Sequence, residues 1–512
     1  MKFLYLALAT FLSSILFGQT PCVNGTSGGY PCENVELLSH LTSSELGGGE
    51  MNDLWGWTSP ESGKEYVMIG RDAGTSFVDI SDPLFPVYLG VLPTHTFNSI
   101  WRDIKVYENH AFIVSEANNH GMQVFNLMQL ETVVNPPVVF EDDAHYGVFG
   151  DCHNIVINEE SGYAYAVGSN TANGGLHVID VTSPTQPTLA GFFSNDGYTH
   201  DAQAVNYIGP DPDYTGSEIV FAANENNIAI IDVTDKSDME LIEHATYPSL
   251  FYTHQCWLTE DHRFLLANDE LDELNGSGNT RTFIFNVEDL NNPIYLGAYV
   301  HPTAAIDHNL YIHEGYVYQS NYRAGLRILN TDQVSNGVLN EVAFFDVYPQ
   351  SNAAAFNGSW SNYPYFESGV VAVSHIENGL FLLKPDIKTF YADADSDGFG
   401  DDLVTAQGFT SPEGFVENNL DCDDALETVF PGATGTGEGI DNDCNGEVEG
   451  DEMESTCPED FNSDGIVSIE DISIFLSGFG CISQCEVDLN GDGLTSIDDL
   501  SLFLIAFGTV CD

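Results

Sequence analysis

Over the first three quarters of the chain, apolar residues fall in short runs rich in Val, Ile, Phe and Tyr, broken by Gly, Asn, Asp and Pro. Runs of this length with period-two alternation predict strands. One stretch parses into four: His153-Asn154-Ile155-Val156-Ile157, Tyr163-Ala164-Tyr165-Ala166-Val167, residues 176–181, and residues 188–193. The third run holds an apolar-apolar-Asp/Asn core that recurs as Phe77-Val78-Asp79, Val124-Phe125-Asn126, Val178-Ile179-Asp180, Ile230-Ile231-Asp232, Ile284-Phe285-Asn286 and Ile328-Leu329-Asn330, with a degenerate Leu382-Leu383-Lys384. These cores start 47, 54, 52, 54, 44 and 54 residues apart. A period of about 50 is the size of a four-stranded propeller blade. The closing Asp or Asn can bond backbone just downstream and begin a turn. A blade packs both faces against neighbours, so its strands can be apolar on both sides. An ordinary sandwich with coincidental similarity is the alternative, and seven copies in one strand order speak against it. We therefore expect an all-β fold, a seven-bladed β-propeller over residues 35–385. The seventh copy stops at Lys384-Pro385 without a fourth strand, while Val35-Glu36-Leu37-Leu38 has no partner. Pairing the two would close the ring and remove an exposed edge.

At several segments this body resembles the LVIVD-repeat proteins, specifically the choice-of-anchor B family. They are Asn52-Asp53-Leu54-Trp55-Gly56-Trp57, Trp101-Arg102-Asp103-Ile104-Lys105-Val106, Tyr198-Thr199-His200-Asp201-Ala202, Asp307-His308-Asn309-Leu310-Tyr311 and Trp360-Ser361-Asn362-Tyr363-Pro364-Tyr365. The resemblance covers residues 35–384 and implies an exported or surface propeller. It implies no established reaction.

In a propeller the first strand of each blade lines a central channel. Here these strands open with a polar and aromatic set, from which Asp103, His153, His200, His254, Asp307 and His308 form a candidate ligand site at the channel mouth. Imidazoles with carboxylates could bind a transition metal. They could also hold a sugar beside Trp faces, or perform acid–base chemistry. Equally, each pair could tie one inner strand to the next, because buried polar groups must be bonded. No Ser-His-Asp spacing, nucleotide loop or His-Glu-x-x-His pattern assigns a catalytic residue.

Charge narrows the partners. With 78 acidic and 12 basic residues the formal charge is −66, which excludes a phosphate-backbone binder of nucleic acid and disfavours an anionic membrane surface. Met1 and Lys2 precede an apolar run over residues 3–17, too short to span a bilayer and suited to a cleaved secretory signal over residues 1–18. Export permits disulfides, and the ten cysteines are an even number. Cys22 and Cys32 form a close pair, six more lie in the last hundred residues, and Cys152 and Cys256 stand alone. We expect a secreted or cell-surface protein with no membrane span after cleavage.

From Asp386 onward there are 31 acids and one base, Lys388, in 127 residues. Calcium takes six to eight oxygens, supplied by alternating Asp and Asn around a Gly turn. Asp460, Asn462, Asp464, Ile466, Ser468 and Asp471 occupy positions 1, 3, 5, 7, 9 and 12 of an EF-hand loop, as do Asp488, Asn490, Asp492, Leu494, Ser496 and Asp499. Apolar helices are expected after each, over residues 472–479 and 500–507. Upstream, Asp393, Asp395, Asp397, Phe399 and Asp401 form an acidic loop before Asp421-Cys422-Asp423-Asp424, and Asp441, Asp443, Asn445, Glu447, Glu449 and Glu452 match EF-hand spacing again. These ligands are hard oxygens, so calcium is favoured. A Cys422–Cys444 disulfide could brace the segment.

The paired loop-plus-helix, with Asp at position 12, resembles type I dockerin modules over residues 457–512, which implies calcium-dependent folding and docking on a cohesin-like protein. The copies lie 28 residues apart, and cysteines bracket each: Cys457 with Cys481, Cys485 with Cys511. Residues 388–452 resemble the MopE-type metal-binding repeat. Three functions stay open: a calcium-stabilised propeller that binds a protein or glycan and is displayed by its tail, a polysaccharide-acting enzyme with a dockerin tail, and a structural surface protein.

Overall fold

The computed structural model describes residues 19–276, 278–433, 439–446, 457–482 and 487–511. The expected signal and Glu447, Glu449, Glu452 and Cys485 lie outside the described residues. The chain divides into two compact units, Met1–Asp386 and Ile387–Asp512.

The first unit is a succession of sheets, seven among the described residues, each built on four antiparallel strands in spatial order first to fourth; Val138–Val139 adds a parallel strand to the first, and two short N-terminal strands extend the sixth. In the third sheet these are Asn154–Asn158, Tyr163–Val167, Leu176–Asp180 and Thr188–Phe193, within a residue of the runs read from sequence. The first strands are Met51–Thr58, Arg102–Tyr107, Asn154–Asn158, Asp201–Asn206, Thr253–Leu258, Leu310–His313 and Ser359–Tyr363. Each lies against the first strand of the next sheet, and Ser359–Tyr363 lies against Met51–Thr58. These are the sheets of a β-propeller.

The recurring cores occupy third strands, and their terminal residue does what its chemistry suggests. The side-chain oxygen of Asp79, Asn126, Asp180, Asp232, Asn286 and Asn330 accepts the N–H two residues on, from Ser81, Met128, Thr182, Thr234, Glu288 and Asp332. Each begins the turn that sends the chain into the outer strand. Six sheets also share a register shift between third and fourth strands at the core, between Val178 and Ile179 in the third sheet. Such bulges increase local twist. Between sheets the faces interlock: Phe221 and Ile230 of one share a cluster with Leu265 and Phe283 of the next, all fully buried. Each such side chain contributes about 1.5–3 kcal/mol.

Val35–Leu41 supplies the fourth strand of the seventh sheet, pairing antiparallel with Gly379–Pro385 from Val35↔Pro385 to Leu41↔Leu380. Gly379 permits this closeness: its φ is +103°, and a Cβ there would stand 2.1 Å from Leu41 O. Just upstream, Cys22–Cys32 is a disulfide, and Tyr30–Glu33 extends the sixth sheet along Asn340–Phe345. Cys152 and Cys256 are free and buried.

The second unit begins with a three-stranded sheet, Lys388–Ala392 between Asp401–Gly408 and Phe415–Val416, and Cys422–Cys444 forms. Two helices follow, Ile469–Gly478 and Ile497–Ala506. Both start three residues earlier than the sequence reading placed them, because Ser468 and Ser496 are N-caps and Asp471 and Asp499 complete capping boxes. Phe461, Phe475 and Phe503 stack at 5.7–6.2 Å between centroids. The bracketing by cysteines is not the pairing found: Cys457 joins Cys511, tying the start of the first copy to the end of the second. Among the described residues no helix is long and apolar enough to cross a membrane.

Candidate metal site at the channel mouth

Successive positions along the first strands build three levels of the channel. The outermost holds His153, His200, His254 and His308, from four consecutive sheets, which line one cavity of about 230 Å³ with Trp101, Trp360, Tyr322, Phe356 and Glu270. The rings follow one another around it, with centroids 4.2 Å apart for His153–His200, 4.2 Å for His200–His254 and 4.3 Å for His254–His308.

Hydrogen bonds fix the tautomers of two of them. His200 Nδ1 lies 2.9 Å from His254 O and His308 Nδ1 2.5 Å from Trp360 O. A carbonyl only accepts, so both Nδ1 atoms carry the proton and both Nε2 atoms carry a lone pair. His153 Nδ1 lies 2.5 Å from Glu116 Oε1, the carboxylate–histidine pairing that orients metal ligands. His254 Nδ1 is buried without a hydrogen-bond partner. One ligand atom each from His254, Glu270 and His308 lies within 4.8 Å of the others, and His308 Nε2 is 3.6 Å from Glu270 Oε1.

Burial pushes His200 and His254 well below the usual imidazole range and His308 down to about 3. All three are therefore neutral donors at neutral pH. Burial also raises Glu270 to about 7, opposed by the hydroxyl of Tyr322, which donates to Oε1 at 2.7 Å. Tyr322 itself sits at φ +34°, a conformation uncommon for a bulky residue and found where structure over-determines the backbone. Two imidazoles and a carboxylate suit a divalent transition metal with open positions.

Asp103 and Asp307, expected at this mouth, do not line the cavity. Asp103 stands one residue further along its strand, in a middle level with Asp53, Asn154, Asp201, Gln255, Asn309 and Ser361. That level is knit together: Asp103 Oδ2 accepts Ile155 N–H (2.7 Å), Gln255 Nε2 donates to Asp201 Oδ2 (3.0 Å), Gln255 Oε1 accepts Leu310 N–H (2.5 Å) and Asn309 Nδ2 donates to Ser361 Oγ (3.1 Å). Here the structural alternative holds, since inner-strand side chains satisfy the neighbouring strand's backbone. Lys105 Nζ donates to Asp103 Oδ1 at 2.7 Å. Burial would lower this ammonium, but Asp103, Asp53 and Asp201 hold it above its usual value. Asp307 stands one residue before His308; its Oδ2 accepts Asp269 N–H at 3.3 Å, and burial, with Asp272 and Asp269 nearby, pushes its carboxyl well up.

In the second unit, Asp393 and Asp395 gather with Asp424, and Asp395 and Asp397 with Asp421, as groups that could hold a cation. Asp421 and Asp424, which lie outside the ligand set expected from sequence, thus join the acidic loop. Phe399 N–H donates to Asp397 Oδ1 (2.9 Å) and Leu403 N–H to Asp401 Oδ1 (2.9 Å). Asp441 and Asp443 both accept Asn445 N–H, at 3.1 and 3.3 Å. Asp460, Asp464 and Asp471 form a further group. Asn462 and Asn490 accept the N–H of Asp464 and Asp492, and Asp488 accepts those of Gly491 and Gly493. Asp471 and Asp499 are fully buried. Burial raises each carboxyl, but N–H bonds from Ser468, Asn462 and Phe461 in the first copy, and Ser496 and Asn490 in the second, leave both below the usual range.

The LVIVD repeat family model matches residues 150–194 and 220–246, and the MopE-type metal-binding motif matches residues 421–449. No curated protein matches the chain. Among solved structures it is similar to Kuenenia stuttgartiensis hydrazine synthase (12% identity, covering 67% of this chain and 97% of that one, TM-score 0.46). It is also similar to the β-propeller domain of Myceliophteria thermophila Cps50 (Swd1) (12% identity, 68% and 98%, TM-score 0.45). The chain carries LVIVD repeats within its third and fourth sheets and a MopE-type metal-binding motif in its second unit.

Proposed function

We propose that this is an exported, seven-bladed binding propeller, closed by its N-terminal strand, which holds a divalent transition metal at the histidine mouth and calcium in its acidic C-terminal unit. The observation that carries the metal reading is the convergence of His254, Glu270 and His308 around one cavity, with His254 Nδ1 buried and unpartnered. Disulfides support an oxidising, extracellular setting. Hard-oxygen loops support calcium. Docking of the C-terminal unit on a cohesin-like or cell-surface protein is supported by apolar residues its helices leave exposed, among them Ile469, Ile497, Leu504 and Ile505. A second reading, a metal-assisted polysaccharide-acting enzyme, draws on the open positions that three protein ligands leave.

Elemental analysis tests the metal. After incubation with zinc, manganese or ferrous iron and desalting, the protein should retain about one equivalent. A double variant, His254→Ala with His308→Ala, should retain almost none while its calcium content stays unchanged. Equal retention by the two proteins would refute the site.

A further inference from the structure

A second cavity, of about 430 Å³, is lined by residues two positions past the polar middle level on the same strands, Trp55, Lys105, Gln203, Trp257 and Tyr363, and by Asp201 and Gln255 of that level itself. That volume lies in the range of small-molecule pockets, roughly 300–1,000 Å³. Its walls include Trp55, Trp257, Tyr363 and Tyr365. Edge-to-face contacts hold them in place: Trp55–Tyr363 at 5.1 Å, Tyr363–Tyr365 at 5.3 Å, and Trp257 against Tyr311 at 5.0 Å. Rings buttressed in this way present fixed apolar faces at little entropic cost.

Charge narrows what can enter. Lys105 Nζ lies 4.4 Å from the Trp55 ring centroid, so the aromatic face a cation would seek already carries one, and its charge repels a second. Glu159 and Glu260 line the same cavity and oppose an anion. A neutral ligand remains, with an apolar face for the rings and hydroxyls for the polar groups. Those groups are at hand: Gln203 Oε1 accepts Leu258 N–H at 2.8 Å, a bond that leaves its amide NH₂ unused, and Glu260 and Asp201 supply acceptors. A sugar ring has this combination, with C–H groups on one face and hydroxyls around its edge.

We propose that this cavity is a binding site for a neutral saccharide, separate from the metal mouth and independent of metal. The test is a titration of the full-length protein with neutral oligosaccharides of glucose, galactose, mannose and xylose, followed by tryptophan fluorescence and calorimetry. An oligogalacturonate and spermidine serve as anionic and cationic counterparts. One neutral oligosaccharide should bind. Trp257→Ala should weaken it about tenfold or more. Trp257→Phe, which keeps an apolar wall and guards against misfolding, should weaken it less. Chelated protein and Trp360→Ala, altered at the histidine mouth, should bind as tightly as the parent, so failure of the metal reading leaves this result untouched. The proposal falls if no neutral oligosaccharide binds, if only the uronate or spermidine does, or if binding is lost in Trp360→Ala and kept in Trp257→Ala.

Discussion

Buried histidines away from the mouth add to the acid sensitivity of the body. His120 is fully buried; its Nδ1 lies 2.9 Å from Gly121 O, so Nε2 is the acceptor for buried Arg102, 3.0 Å away. His177, also fully buried, bonds Tyr146 OH and Thr171 Oγ1, each at 2.8 Å. Burial, joined for His120 by the Arg102 charge, lowers them to about 3 and about 4. In the unfolded chain both titrate near 6.5. Their contribution is complete above about pH 6.5 and is lost as pH falls toward the folded values, at about 1.4 kcal/mol per pH unit for each proton taken up on unfolding. Thermal melts from pH 7 to 4.5 should fall steadily, and His177→Asn should be less stable at pH 7 yet flatter in slope; an unchanged slope would contradict this. At this scale the sequence reveals residue types better than depth. The four mouth histidines were legible because they open repeated strands. Asp103 and Asp307 each missed the cavity by one position, a difference that repeat spacing does not resolve. Glu270 was not foreseen, because it follows the end of a second strand and belongs to no repeated pattern.

In the third copy the strands were read almost to the residue, because alternation and turn chemistry agree there. Helix starts were not, since an EF-hand loop and the helix after it overlap: Asp471 is both position 12 of the loop and the third residue of the helix. Ser468→Ala should therefore cost the C-terminal unit about 1 kcal/mol, measurable by denaturant titration, while an equal loss in the propeller transition would argue against a local cap. The pairing of Val35–Leu41 with Gly379–Pro385 was legible from two incomplete patterns at opposite ends of one body. Gly379→Val, which sets a side chain against Leu41 O, should lower the melting temperature and expose a strand edge, giving dimers or aggregates on size exclusion. A monomer with parental stability would show that the edge is sealed some other way.

For the whole molecule, the two units differ in what stabilises them. The first rests on interlocked apolar faces; the second crowds carboxylates around small loops and has a three-ring stack among its few apolar contacts. Calorimetry should show one transition that shifts down on chelation, as metal binding contributes folding free energy, and one that does not. Identical scans with and without chelator would overturn the calcium reading of the tail. The strand that joins the ends of the first unit has a further consequence, for manufacture. Val35–Leu41 is among the first parts of the body to be synthesised, and its partner Gly379–Pro385 is the last. Until that partner arrives the opening segment lacks the strand it completes, so a chain broken off early keeps an unsealed sheet. The seam reports completeness: only a full-length body can hide both of its edges, and a protease that samples loose strands removes the unfinished copies first.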